Sequence, residues 1–269
     1  QCLARENNQI STILLELPHR ELGGKLTPWA DIIKMQQLAK TEGVAFHCDG
    51  ARVFEATAGY DMSLADLAKP FDSIYISFYK GLGGISGAML LGTKDFCKEA
   101  RIWLRRFGGN LYTVLPYAIS GWTGYRRYWV APLEQQDKSP SDTMTPMSFA
   151  DKKNKLVKLS QAFGSNEVLS QFLTLEPSTP LVNMVHFYLR LTVEESEIIR
   201  DKVQSETGVV LFHRIRGIGE SDPAFDKGYR SKFELAIGEA NASIPDEIWI
   251  NAWEKFGRAA LLAVQMNQS

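Results

Sequence analysis

The sequence predicts an α/β protein with a large domain built on a mostly parallel sheet and a small α+β domain after it. Apolar runs of strand length alternate with helical patterns in the first half of the chain, which is typical of a parallel sheet covered by helices. A polar stretch at residues 135–148 separates this half from a second set of helices and strands. The predicted domains are residues 1–135 and 149–269.

The elements of the first domain follow from apolar runs and from the residues that end them. Pro18 ends the first run, and Thr27-Pro28 is a favourable start for a helix that Gly43 stops. The predicted strands are residues 13–17, 44–48, 73–78 and 88–91. The predicted helices are residues 29–39 and 63–68, then a long helical stretch from residue 93 with breaks near 108–109 and 116.

The second domain contains a similar mixture of helical and strand patterns. Ser243-Ile-Pro-Asp-Glu is a well-capped helix start. The predicted helices are residues 149–163, 193–207 and a last helix from 243. The predicted strands are residues 184–191, 209–213 and 232–237.

Charge and cysteine content argue against several functional classes. The 269 residues carry 30 basic and 31 acidic side chains, a formal charge of −1, and no basic cluster is dense enough to follow a nucleic-acid backbone. Three cysteines at unrelated spacings indicate neither a disulfide framework nor a zinc site. No apolar run approaches the ~20 residues that span a bilayer. The expected location is the reducing cytoplasm.

Two charged residues are predicted to lie at one edge of the parallel sheet. Asp49 follows one strand and Lys80 follows the next, and ligands of such sheets bind beyond the carboxyl ends of the strands. Pyridoxal phosphate (PLP) requires these two groups, because a lysine holds its aldehyde as a Schiff base and a carboxylate keeps its ring nitrogen protonated. Each residue alone also has an ordinary explanation, since Asp-Gly is a common turn pair and a lysine before glycine is usually a surface residue.

Three further side chains are candidates for the same site. Ser77, three residues before the lysine, is placed to donate its hydroxyl to the cofactor phosphate. His47 shares a strand face with Asp49, and His19 follows a strand end. For both histidines a structural role is an equal alternative.

Three motifs occur in sequence around these residues. They are His47-Cys48-Asp49-Gly50-Ala51-Arg52, Pro70-Phe71-Asp72-Ser73 and Lys80-Gly81-Leu82-Gly83. Together they resemble the threonine aldolase and β-eliminating lyase family, whose members are PLP enzymes of the aspartate-aminotransferase-like fold. Segment 16–24, which ends in Gly-Gly, and the basic stretch 101–109 are similar to family segments as well. The resemblance covers residues 13–125 well and the remainder loosely.

The resemblance implies a role for each matched position. Lys80 would be the Schiff-base lysine and Asp49 the partner of the ring nitrogen. Arg52 would contact the ring hydroxyl of the cofactor or the carboxylate of the substrate. Tyr112 is a departure, because the family commonly has an arginine shortly after the glycine pair.

The family's carboxylate-binding arginine in the small domain is not evident from the sequence. Arg230 and Lys232, ahead of a predicted strand, are the nearest candidates, and Arg214 and Arg216 are weaker ones. The substrate-binding residues implied are therefore Arg52, Arg230 and His19.

The resemblance implies retro-aldol cleavage of a threonine-like β-hydroxy-α-amino acid to glycine and an aldehyde. The shared residues do not select which bond breaks, so β-elimination on the same cofactor is an alternative, as is a truncated non-catalytic homologue. Ser77-x-x-Lys80 also matches a serine-acylase signature, but the Ser-Asp-Asn and Lys-Thr-Gly tripeptides of that class do not occur. No group of side chains has metal-ligand spacing.

Two expectations concern the protein beyond a single site. The chain begins at Gln1 and has no Gly/Ser/Thr loop ahead of Asp49 to cradle a phosphate. The resemblance implies that such a loop and a ring-stacking histidine lie upstream, so we expect a fragment. The resemblance also implies a homodimer or homotetramer. The candidate contact residues are Trp103, Phe107, Leu111, Tyr112, Trp122 and Tyr125.

Overall fold

The computed structural model describes residues 10–135 and 146–266. They belong to two compact units, Gln1–Arg20 with Leu26–Ala150, and Glu21–Lys25 with Asp151–Ser269. The short segment Glu21–Lys25 belongs to the second unit, which no pattern in the sequence foresees. The domain bounds inferred from the sequence stay a prediction.

The first unit contains a four-stranded sheet in the order β1-β2-β3-β4. Its strands are β1 (Thr12–Glu16), β2 (Ala45–Gly50), β3 (Ser73–Ser77) and β4 (Ala88–Gly92). The first three are parallel, and β4 runs antiparallel to β3. The predicted α/β fold with a mostly parallel sheet is therefore confirmed.

Helices connect and follow these strands. They are α1 (Trp29–Glu42), α2 (Val53–Tyr60), α3 (Leu64–Ala68), α4 (Lys94–Arg106), α5 (Leu115–Tyr125), a π-helical turn (Arg126–Val130) and α6 (Ala131–Gln135). Gly43 ends α1 in the left-handed conformation, with φ 66°. Pro116 lies in the first turn of α5, where proline is tolerated, so the predicted break at this residue is the start of a helix.

The core of the first unit lies on one face of its sheet. In β2 the side chains of Phe46 and Cys48 are buried, whereas those of His47 and Asp49 on the opposite face are half-buried. Ile74 and Ile76 of β3 lie on the core side with them. This alternation leaves one face of the sheet for polar residues.

The second unit contains an antiparallel sheet in the order β5-β6-β8-β7. Its strands are β5 (Leu173–Glu176), β6 (Met184–Leu189), β7 (Arg216–Gly217) and β8 (Ser231–Ala236). The helices after residue 146 are α7 (Phe149–Ser165), α8 (Val193–Thr207), α9 (Glu239–Ala242) and α10 (Asp246–Met266), with a 3-10 turn at Leu169–Gln171. Trp249, Trp253 and Phe256 of α10 are buried in the core of this unit.

The strand predicted at residues 209–213 is wrong. This segment has no regular structure, although Val209, Leu211 and Phe212 are buried in the core of the second unit. An apolar segment can be buried by side-chain packing without pairing its backbone to a sheet, and the sequence pattern does not distinguish the two cases. None of the helices in the described ranges is long and apolar enough to cross a bilayer.

Candidate active site

The candidate site lies at the carboxyl edge of the parallel strands. Glu16 of β1 pairs with Asp49 of β2, and Asp49 pairs with Tyr75 of β3. Lys80 follows the end of β3 by three residues. Because parallel strands end at the same edge of a sheet, Asp49 and Lys80 are both carried to this edge.

Residues in register on adjacent strands place their side chains on the same face. His47 and Ser73 are such a pair, and the Nδ1 atom of His47 lies 2.7 Å from the Ser73 hydroxyl oxygen. Asp49 and Tyr75 are the next pair along the same face. The polar face of β2 and β3 therefore presents His47 and, nearer the carboxyl edge, the Asp49 carboxylate beside the Tyr75 phenol.

Lys80 is half-buried, and its amine is uncommitted. In the described part of the chain its Nζ atom makes no hydrogen bond and no ion pair. The Nζ atom lies over the ring of Tyr79, 5.7 Å from the ring centroid. A lysine without an internal anion partner keeps its amine available for a ligand.

The charge of Asp49 acts on several neighbouring groups. One carboxylate oxygen accepts a hydrogen bond from the Ala51 N–H at 3.1 Å. Burial, a hydrogen bond with Tyr79 and the charges of Tyr79 and Asp49 raise the pKa of Tyr75 to about 12. Burial and the Asp49 charge likewise raise the pKa of the Cys48 thiol to about 12, so this thiol stays protonated and is not a nucleophile.

Two opposing effects shift the pKa of His47, and burial is the larger. Burial lowers its pKa from the usual value, and the negative charge of Asp49 partly offsets that change. The neutral ring can exchange a hydrogen bond with Ser73 in either direction, according to its tautomer. The contact to cofactor predicted for His47 stays a prediction.

Ser77 and Arg52 lie close to the end of the same strands. Ser77 is 2% exposed, and its hydroxyl donates to the Ala51 carbonyl at 2.6 Å. Its predicted bond to a phosphate would require the hydroxyl to turn away from Ala51. Arg52 is half-buried and directly precedes α2, and its contact to cofactor or substrate stays a prediction.

His19 lies beyond the end of β1. Its side chain is 43% exposed, and its Nδ1 atom is 3.6 Å from a carboxylate oxygen of Glu16. Because Glu16 is in register with Asp49, the structure carries His19 to the same edge of the sheet. Its role in substrate binding stays a prediction.

Arg230 belongs to the second unit and is bound within its own loop. Its guanidinium donates to the carbonyl oxygens of Phe225 (3.1 Å) and Tyr229 (2.8 Å) and lies over the Phe225 ring. Lys232, the neighbouring candidate, is ion-paired with Asp222 at 2.6 Å. Both predicted carboxylate ligands therefore already have partners within the second unit.

Sequence patterns did not identify Tyr75 and Tyr79. The two hydroxyl oxygens lie 3.3 Å apart on the polar face of β3. The alternation of polar and apolar residues along the strand could have identified Tyr75. Ser73, Tyr75 and Ser77 lie on one face, and Ile74 and Ile76 lie on the other. Because the strand is rich in β-branched and aromatic residues, the two tyrosines were not distinguished from core residues.

The comparison with protein families decides which family this arrangement belongs to. The model of the beta-eliminating lyase family matches residues 2–162, which include β1 to β4 and both Asp49 and Lys80. The chain belongs to the beta-eliminating lyase family. The recognition made from the motifs is thereby confirmed, and the members of this family are PLP-dependent lyases.

Named relatives and solved structures of the family agree with this membership. A probable low-specificity L-threonine aldolase 2 of Arabidopsis thaliana is 36% identical over 100 residues, which are 37% of this chain and 28% of the relative. A putative L-allo-threonine aldolase of Listeria monocytogenes has a TM-score of 0.76 at 30% identity, over 96% of this chain and 62% of the other. A putative aromatic amino acid beta-eliminating lyase/threonine aldolase of Exiguobacterium sp. 255-15 has a TM-score of 0.75 at 30% identity, over 91% and 61%. The chain thus spans less than two thirds of each of these relatives.

The residues present fit the cofactor of the family at two of its groups. The uncommitted amine of Lys80 suits an aldehyde, and the half-buried carboxylate of Asp49 suits a protonated ring nitrogen. At the phosphate the fit is incomplete, because the hydroxyl of Ser77 is already donated to Ala51. The described residues therefore account for the reactive end of the cofactor and not for its phosphate.

Proposed function

We propose that this chain supplies the lysine and the carboxylate of a PLP-dependent aldolase that cleaves a threonine-like β-hydroxy-α-amino acid to glycine and an aldehyde. The observation that carries the proposal is the placement of Asp49 near the carboxyl end of β2 and of Lys80 just beyond the adjacent parallel strand β3, with the Lys80 amine uncommitted. The family match and the names of the threonine aldolase relatives support it.

Each residue contributes through its charge and position. When bound, PLP takes up the electron pair that a substrate releases at its Cα atom. Asp49 would keep a proton on the ring nitrogen, and the surrounding burial strengthens its electrostatic effect. Lys80 would hold the cofactor through its amine, for which it must be transiently neutral. Arg52 and His19 are the proposed substrate contacts at this edge, and Arg230 would serve only if its loop contacts were released.

L-threonine distinguishes the aldolase from the eliminating lyase, because the two reactions give different products. The aldolase forms glycine and acetaldehyde, whereas the lyase forms 2-oxobutanoate and ammonia. We expect glycine and acetaldehyde from the full-length protein supplied with PLP, and no product from its Lys80→Ala variant. The ketoacid in place of glycine would favour the alternative reaction, and turnover by Lys80→Ala equal to that of the wild type would overturn the role of the lysine.

Asp49→Asn is the second variant in the same assay. An amide cannot hold a proton on the ring nitrogen by charge, so turnover should fall by orders of magnitude. Retention of the cofactor should weaken less, because the contact with Lys80 remains. An Asp49→Asn variant that turns over like the wild type would reduce Asp49 to a turn residue.

We also infer a homo-oligomer and a cytoplasmic location. Five of the six predicted contact residues are exposed, and Tyr125 instead packs against the core of the first unit. Exposed apolar surface of this extent is typical of an interaction surface. The two described cysteines, Cys48 and Cys97, are free thiols, which supports a reducing compartment.

A further inference from the structure

Two tyrosines connect Asp49 with Lys80 through a series of contacts. Tyr75 is the register neighbour of Asp49, and its hydroxyl oxygen lies 3.3 Å from that of Tyr79. The ring of Tyr79 in turn lies under the Lys80 ammonium, 5.7 Å from Nζ to the ring centroid. All four residues belong to the first unit.

The hydroxyl contact spans the end of β3. Tyr75 lies within the strand, whereas the chain bends at residues 78–80, and the two oxygens meet within hydrogen-bonding distance. Ser77 lies between the two tyrosines in sequence and is small and almost fully buried. A small residue at this position leaves room for the two rings to approach above it.

The environment of the two tyrosines differs. Tyr79 is 47% exposed, so without a partner its ring would be free to change rotamer. Tyr75 is half-buried between its neighbouring strands and is the fixed member of the pair. The hydrogen bond to Tyr75, a residue of the sheet, therefore restrains the exposed Tyr79 ring beside Lys80.

We propose that Tyr79 is a positioning residue that holds the Lys80 side chain, and that Tyr75 holds Tyr79 in place. The ring face attracts the ammonium, and the hydroxyl pair fixes the ring. This proposal rests on the proposed function of Lys80, because the lysine it positions is the one that takes the cofactor.

The contact can be measured without cofactor. In the chain with ¹³C-labelled lysine, the ε-CH₂ signal of Lys80, assigned with Lys80→Arg, should carry a ring-current shift. Tyr79→Phe keeps the ring and should retain much of the shift, whereas Tyr79→Leu should lose it. Tyr75→Phe removes the same hydroxyl contact from the other side and should change the shift to the same extent as Tyr79→Phe. The signal of Lys69, which is paired with Asp66, should not move in any variant and serves as the internal control.

Cofactor capture gives the second readout. In the full-length protein at limiting PLP, followed by borohydride reduction, the label on the Lys80 peptide should require about threefold to tenfold more PLP in Tyr79→Leu than in the wild type. Tyr79→Phe and Tyr75→Phe should both lie between Tyr79→Leu and the wild type, because each removes only the contact between the two hydroxyls.

The two readouts separate the two proposals. If the wild type is labelled on Lys80 and Tyr79→Leu is labelled equally well with an unchanged Lys80 signal, the positioning role is overturned and the proposed function stands. If the wild type takes no label on Lys80, the proposed function fails, and the cofactor-free spectrum still decides whether Tyr79 holds the lysine.

Discussion

Gly81, the residue after Lys80, lies where an added Cβ atom would be crowded by two buried side chains. A Cβ atom built on it would touch the Glu55 carboxylate, with Glu55 Cδ at 2.9 Å, and would lie 3.0 Å from Cε1 of Phe149. Glu55 is 3% exposed and Phe149 is 4% exposed, so neither side chain has free space to move into. The position of the lysine is therefore fixed from both sides in sequence, by Tyr79 before it and by the packing of Gly81 after it.

Gly81→Ala should destabilise the first unit and move the turn that follows Lys80. Overpacking of this kind costs about 1–3 kcal/mol, which urea denaturation measures as a lower free energy of unfolding. Gly164→Ala is the matched control, since an added Cβ atom there meets nothing within 4 Å and alanine favours a helix by up to about 1 kcal/mol. Equal free energies of unfolding for Gly81→Ala and the wild type would show that Glu55 and Phe149 yield easily.

At the scale of the elements, the sequence predicted the part of the fold that carries the site. The runs at 13–17, 44–48, 73–78 and 88–91 correspond to β1 to β4, because apolar runs bounded by proline, glycine and polar turns leave little choice of structure. Asp49 lies near the carboxyl end of β2 and Lys80 just beyond β3, and the parallel arrangement brings both to one edge. The placement of both residues at one edge was thus predictable from local patterns alone.

Other elements depend on contacts that local patterns do not contain. Helix α2 (Val53–Tyr60) was not predicted, because five of its eight residues are buried and a helix buried on most sides has no clear amphipathic period. Residues 209–213 show the reverse error, since their burial comes without strand pairing. Segment 21–25 joins the second unit through long-range contacts, such as the ion pair between Arg216 and Glu21 at 2.8 Å. The meeting of Tyr75 and Tyr79 likewise depends on rotamers that a sequence does not specify.

At the scale of the whole molecule, helix α4 and its surroundings carry exposed apolar side chains. None of the residues of α4 is buried, and Trp103 and Phe107 are 46% and 81% exposed. Patches of exposed apolar residues are rare on monomers, and aromatic residues are enriched at protein–protein interfaces. This surface and the resemblance to the family both support the proposed homodimer or homotetramer.

Sedimentation velocity at micromolar concentration should show a dimer or tetramer. A charged residue at this surface, in Phe107→Glu, should shift the distribution towards the monomer. Leu38→Glu introduces the same charge on α1, where Leu38 is 46% exposed, and should leave the distribution unchanged. A wild-type monomer under these conditions would refute the predicted assembly.

The measurement that bears most directly on the proposed site is the identity of the lysine that takes the cofactor. The full-length protein is incubated with PLP and reduced with borohydride, and its peptides are mapped by mass spectrometry. We predict a single pyridoxyl label on the peptide that contains Lys80, and no label on the corresponding peptide of Lys80→Ala. A label on any other lysine, or a folded wild type that takes none, would contradict the assignment of Lys80 and Asp49 as the cofactor site.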